Sequence, residues 1–352
     1  MSEATVITAV DQPLLLQVAH GKVPSRPPVW FMRQAGRYMP EYQAIRKNFD
    51  FLELCKNLDA AVAVSLQPWK AFGTDAVIMF SDILVPPEAM GMTLHFTEKG
   101  PVFEDPIRTD AQVEALRTPD VEATMGFVPA ILRQLRRELA GSPETALIGF
   151  SGAPWTLATY MIEGGVSKQF RYIKQWRFEN QAVLHSLLSH LTQVVIAYLC
   201  AQIEAGAHVV QLFDTWGAIL DKPGFAEFVQ PYQQQVIAGV KAQHPNTPIV
   251  LYINGSNPYL EAMVATGANV ISLDHATPIA EARQRLGNAL PLQGNLDPVA
   301  MLIAPEKLKP LVTGILQQAQ GTPFIFNVGH GLIPPTPPEN VRQVVQWVKG
   351  LG

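Results

Sequence analysis

Cysteine is scarce in this 352-residue chain: it has only Cys55 and Cys200, far apart and each in apolar surroundings. Two isolated cysteines build neither a disulfide framework nor a thiolate metal site, and they suit a reducing compartment, so both are expected to be buried structural thiols. Charge is also sparse, at 16% of residues, and the formal net charge is -4. That balance argues against a general electrostatic partnership with nucleic acid or an anionic membrane. Any grip on anions has to come from a local arrangement of cations. No uninterrupted apolar run approaches the roughly 20 residues that cross a bilayer. Met1–Gln12 lacks the basic region and apolar core of a secretory signal, and also the arginine-rich character of a transit peptide. A soluble, cytoplasmic chain is expected. His20, His95, His185, His190, His208, His244 and His275 show no convincing ligand spacing, and His185 and His190, five apart on a predicted helix, share a face poorly. No metal is expected.

Apolar material is plentiful. With 48% hydrophobic residues, one large core is within reach. Short apolar runs recur, each followed by a helical stretch: Val29–Met32, Ala76–Phe80, Ala146–Phe150, His208–Phe213, Pro248–Ile253, Asn269–Leu273, Leu290–Gln293 and Pro323–Val328. That alternation predicts βαβ units and a parallel sheet. About eight such units, without an interdomain linker, predict one (β/α)8 TIM-like barrel spanning residues 1–352. Val29–Met32 is the weakest strand of the set and has a loop across the barrel mouth as its alternative. Asn257–Thr266 reads as a helix stopped by Gly267, and Thr277–Leu286 as one stopped by Gly287. Glu88–Pro119, rich in Gly, Pro and charge, leaves room for a small excursion over Thr93–Phe103. Asn180–Gly206 reads as a long helix of the barrel wall or an oligomer surface.

In such barrels the C-terminal ends of the strands build the active site. The polar residues there are Ser81, Asp82, Ser151, Asp214, Thr215, Asn254, Asp274, His275, Asn295, Asp297, Asn327 and His330. Many such residues simply cap the next helix. For Asp297, just before Pro298, capping is the better reading.

The densest chemical signal is Trp30-Phe31-Met32-Arg33-Gln34-Ala35-Gly36-Arg37-Tyr38-Met39-Pro40-Glu41-Tyr42, with Arg46 and Lys47 following. Guanidinium forks bind carboxylate or phosphate bidentately, and Gly36 allows backbone to approach a ligand closely. A solvated basic turn is the bland alternative. The aromatic setting on an acidic chain favours a pocket for a large polyanion with apolar faces.

The stretch Met32–Tyr42 resembles the signature of the uroporphyrinogen decarboxylase family. Ile148-Gly149-Phe150-Ser151-Gly152-Ala153-Pro154-Trp155-Thr156-Leu157-Ala158, with Tyr160–Gly164 after it, is similar to a second signature of that family. Phe80–Pro86, Leu292–Pro298 and Phe326–Gly331 resemble it too, in order along nearly the whole chain. The resemblance implies cofactor-free decarboxylation of the four acetate side chains of uroporphyrinogen, expected to be isomer III, to methyls, giving coproporphyrinogen in tetrapyrrole biosynthesis. It also implies a homodimer. By the same resemblance, Arg33, Gln34, Ala35, Gly36, Arg37 and Arg46 bind substrate, and Asp82 accepts the pyrrole N–H groups and serves catalysis. Tyr160, Thr215 and His330 resemble further substrate contacts. Arg37 is the positional candidate for the proton step, although arginine releases a proton reluctantly; a bound water or a substrate carboxylate is the alternative. Phe213-Asp214-Thr215-Trp216-Gly217-Ala218 departs from the commoner family phrasing, which has Ser at the place of Thr215 and Ala-Gly at the place of Gly217-Ala218.

Two other readings compete. A corrinoid or thiol methyltransferase on this barrel would need a zinc site with late cysteines, and no cysteine follows Cys200. A non-catalytic tetrapyrrole carrier would keep the binding residues without needing Asp82.

Overall fold

The computed structural model describes residues 12–350, so the leader reading of Met1–Gln12 lies, apart from Gln12, outside the described residues. Seven parallel strands form one sheet: β1 (Ala76–Ile78), β4 (Ala146–Gly152), β5 (Val209–Asp214), β6 (Ile249–Ile253), β7 (Val270–Ser272), β8 (Leu292–Leu296) and β9 (Phe324–Val328). Between β1 and β4, a separate antiparallel hairpin pairs β2 (Leu94–Thr97) with β3 (Gly100–Phe103). This is the excursion expected over Thr93–Phe103. Helices intervene between successive sheet strands, as parallel crossovers require.

Val29–Met32 is not a strand. Val29 makes a single parallel bridge to Phe326 of β9, and its carbonyl accepts from Asp75 N–H, just before β1, at 2.8 Å. This short stretch therefore fills the gap between the first and last strands of the curled sheet and closes the barrel. Asp75 reinforces the seam: its carboxylate accepts Val29 N–H at 2.8 Å and a bidentate fork from Arg26 at 2.7 and 2.8 Å. From Trp30 on, the chain leaves the sheet and crosses towards the strand ends.

The predicted strand Leu290–Gln293 begins late and runs to Leu296, because Gln293 and Asn295 are held inside the barrel. Gln293 accepts from the Trp30 indole at 3.0 Å and donates to Gln211 at 3.1 Å and Ser272 at 2.9 Å. Asn295 donates to the Asp274 and Thr277 carbonyls. A buried polar side chain is tolerated in a strand when its partners are supplied. The helix Gln181–Glu204 has the length and mean hydropathy of a membrane span, but more than half of it is packed inside the protein. Cys55 and Cys200 are both buried and free.

Candidate active site

The arginine segment is moored at several points. Met32 N–H donates to the Asn327 side chain of β9 at 2.9 Å, and Gln34 donates to the Ala76 carbonyl of β1 at 3.0 Å. Tyr38 donates to the Gln34 carbonyl at 2.6 Å and stacks on Phe72. Gln34 is fully buried and also accepts from Phe31 N–H, so its amide holds backbone in place while the residue lines the cavity. Arg33 sits at φ 58°, in the left-handed region, a conformation that costs a non-glycine residue free energy and tends to mark functional sites. Arg33 and Arg37 are exposed at the mouth. Neither forms an ion pair among the described residues, whereas Arg26, Arg133, Arg177, Arg285 and Arg342 do. Arg46 is half-buried and donates to the Phe49 carbonyl.

Asp82 follows β1 on a loop that is itself anchored, since Phe80 N–H donates to Ser65 at 2.8 Å. One Asp82 oxygen accepts Leu84 N–H at 2.8 Å. The capping role that competes with the functional reading is therefore real, but it engages only Oδ1. Burial pushes the Asp82 carboxyl up to about 6; the Leu84 hydrogen bond and the Arg33 charge oppose that rise. The residue keeps some access to the cavity, so at neutral pH its ionised form faces that space.

Tyr160 lies on the helix Pro154–Glu163, Thr215 follows β5 and His330 follows β9. The His330 ring accepts Gly331 N–H at Nδ1, 2.7 Å away, which leaves Nε2–H as a donor. Burial, then the nearby Arg33 and His275, lower its pKa to about 4, so the ring is neutral. The Tyr160 hydroxyl is held protonated, chiefly by burial.

All ten residues singled out from the sequence line one cavity: Arg33, Gln34, Ala35, Gly36, Arg37, Arg46, Asp82, Tyr160, Thr215 and His330. Its volume is about 760 Å³, towards the top of the roughly 300–1,000 Å³ usual for small-molecule sites. The sequence reading missed the aromatic part of the wall, made by Phe80, Phe150, Phe213 and Tyr252. Phe213 meets Phe150 edge-on at 5.7 Å and Tyr252 at 5.9 Å. Phe80, Phe150 and Phe213 close their predicted runs and Tyr252 is the last residue but one of its run, so an aromatic residue near a strand end was the available signal. The hairpin tip, with Phe96, Glu98 and Lys99, forms another part of the mouth.

Other strand-end polar residues serve the backbone instead. Asp274 accepts from Gly255 N–H, Ala276 N–H and the Thr277 hydroxyl. Asn327 accepts from Met32 N–H and Val328 N–H. Asp297 caps at Val299 N–H, as its sequence context suggests. His185 pairs with Tyr232 and His190 with Thr118. Among the described residues, no group of three His, Cys, Asp or Glu side chains is placed to hold a metal ion.

A parallel barrel with guanidinium groups that form no ion pair among the described residues, set around an aromatic cavity with Asp82 inside it and Glu98 at the hairpin edge of its mouth, is a barrel enzyme built for a large polyanion with apolar faces. The chain belongs to the uroporphyrinogen decarboxylase family: the family model described as uroporphyrinogen decarboxylase (URO-D) matches residues 11–351. It is 46% identical to the uroporphyrinogen decarboxylase of Gloeobacter violaceus over 97% of this chain and 98% of the relative. With the Synechocystis sp. enzyme of the same name it shares 45% identity, covering 97% of each chain. Among solved structures, a methyltransferase from Methanosarcina mazei superposes with a TM-score of 0.81 at 21% identity, covering 96% of this chain and 97% of that one. At that identity the likeness shows the barrel alone.

Proposed function

We propose that this chain removes the acetate carboxylates of uroporphyrinogen, one after another, to give coproporphyrinogen, with isomer III as substrate. The observation that carries this reading is the convergence of Asp82 with Arg33 and Arg37, which form no ion pair among the described residues, on one aromatic-walled cavity. Arg33, Arg37 and Arg46 hold peripheral carboxylates. The Phe213 and Tyr252 rings lie against the apolar faces of the pyrroles. Tyr160, Thr215 and the Nε2–H of His330 offer directional hydrogen bonds to the remaining side-chain carboxylates.

Asp82 accepts the pyrrole N–H groups through its free oxygen. Protonation of a ring carbon makes that pyrrole cationic, the acetate carbon–carboxylate bond breaks as carbon dioxide leaves, and the bonding pair neutralises the ring by forming an exocyclic methylene. A proton added to that methylene makes the methyl, and the ring carbon gives up its own proton to restore the pyrrole. A fixed anion beside the ring nitrogens attracts the cationic state more than the neutral one, so it lowers the barrier. The ring is its own electron sink, and the scheme uses neither metal nor organic cofactor. Arg37 serves the proton step by ordering the water or the substrate carboxylic acid that gives up the proton, because a guanidinium holds its own.

The chain works as a cytoplasmic homodimer. Exposed Val102 and Val166 lie beside each other at the hairpin, where Val102 bridges to Gly165, and Tyr172 is exposed on the helix that follows. Light scattering checks the dimer: a monomer at micromolar concentration removes it. The activity itself is tested with reduced uroporphyrinogen under anaerobic conditions in the dark, without added cofactor. Stepwise loss of carboxylates supports the assignment. Tight binding with unchanged substrate would make the chain a carrier.

A further inference from the structure

Thr156 belongs to the second signature stretch, yet it is fully buried and does not line the cavity. Its hydroxyl accepts Trp216 N–H at 3.0 Å and lies 2.5 Å from Asp214 Oδ1. The other Asp214 oxygen accepts from the buried Gln233 amide at 2.7 Å. The hydrogen-bond inventory fixes the direction of the chain. Trp216 N–H donates to one Thr156 lone pair, the Thr156 hydroxyl donates to Asp214 Oδ1, and the Gln233 amide donates to Oδ2, so both carboxyl oxygens are engaged. On its other side, the Trp216 carbonyl accepts the Trp155 indole N–H at 3.0 Å. Gly217 completes the fit, since a Cβ there would sit 3.3 Å from the Asp214 carboxyl carbon. The helix Pro154–Glu163, which carries Tyr160, thus grips both ends of the Trp216 backbone unit, next to Thr215.

We infer that Thr156 and Asp214 are positioning residues that bolt the Thr215 loop to the Tyr160 helix, so that two substrate contacts form one rigid wall. Neither group touches substrate. A misplaced donor weakens a contact even when all the contacting side chains are intact.

The inference rests on the proposed decarboxylase activity, and wild-type turnover in the same anaerobic assay distinguishes the failure of one from the failure of the other. Thr156→Val, Thr215→Ala and the double variant form a thermodynamic cycle on kcat/KM. If Thr156 acts through Thr215, the single variants each lose about tenfold, the double variant loses little more than Thr215→Ala alone, and Thr156→Ser restores activity. Additive losses, or a Thr156→Ser variant as impaired as Thr156→Val, overturn the inference, as does a Thr156→Val variant within twofold of wild type. If Thr156→Val does not fold, Trp155→Phe, which removes only the indole N–H, takes its place in the cycle. Additivity with Thr215→Ala there overturns it equally.

Discussion

Arg33 reaches the cavity by passing over Gly331: a methyl group on Gly331 would lie 2.6 Å from Arg33 Cγ and 2.8 Å from its Nε. Only a hydrogen at that position lets the guanidinium take its place. Gly331→Ala is expected to displace Arg33 and raise KM for uroporphyrinogen about tenfold, roughly 1.4 kcal/mol of binding, while the melting temperature changes little. Steady-state kinetics beside thermal melting check this. An unchanged KM means that Arg33 does not hold substrate from this position.

Arg37 differs from the ion-paired surface arginines in having no carboxylate partner among the described residues. Removing it leaves no protein charge stranded. Arg37→Ala is expected to cost substrate binding a charge-assisted contact, roughly 1.5–3 kcal/mol, and to flatten the salt dependence of kcat/KM. Arg37→Lys should recover only part of the loss, because an ammonium lacks the planar fork.

Burial raises the Asp82 pKa to about 6 from 3.8, so the folded state binds this proton more tightly than the unfolded chain does. The contribution of Asp82 to stability is therefore fully present below about pH 3.8 and is lost as pH rises through about 6. Activity runs the opposite way, because the ionised form is the one that faces a cationic ring. kcat/KM is expected to fall as pH drops below about 6. Asp82→Asn, which can still accept Leu84 N–H, should be more stable than wild type at pH 8, by a margin that shrinks below pH 6. Denaturant melts at both pH values check the sign.

At the far end of the barrel, Asp75 joins Arg26, Val29 N–H and, at 3.2 Å, Lys349. Asp75→Ala removes the side-chain acceptor for all three and leaves the barrel seam held by its backbone bonds alone. A loss of roughly 3 kcal/mol is expected, as for a broken buried ion pair, with kcat per folded molecule unaltered. Urea unfolding and active-site titration together separate the two effects.

Much of this arrangement is legible in the sequence. Of the eight runs marked by period and turn chemistry, seven become strands of the sheet, and Gly267 and Gly287, both at φ +84°, end their helices as expected. Local pattern could not show that Val29 closes the barrel with one bridge, because that role depends on Asp75 and Phe326 arriving from distant parts of the chain. Asp82 and Asp274 look alike in sequence, each polar at the end of a strand. They separate only in three dimensions, where three local donors engage Asp274 and one engages Asp82. The aromatic wall escaped for the same reason: Phe213 reads as core until the cavity beside it is seen.

The most direct measurement pairs binding with turnover in Asp82→Asn, using reduced uroporphyrinogen in the absence of oxygen. With the arginine rim intact, the variant is expected to bind within several-fold of wild type and to lose about 10²–10³ in kcat, the scale of removing one preorganised electrostatic contact to a transition state. Turnover at the wild-type rate with normal binding would contradict the assignment of this carboxylate to the chemistry.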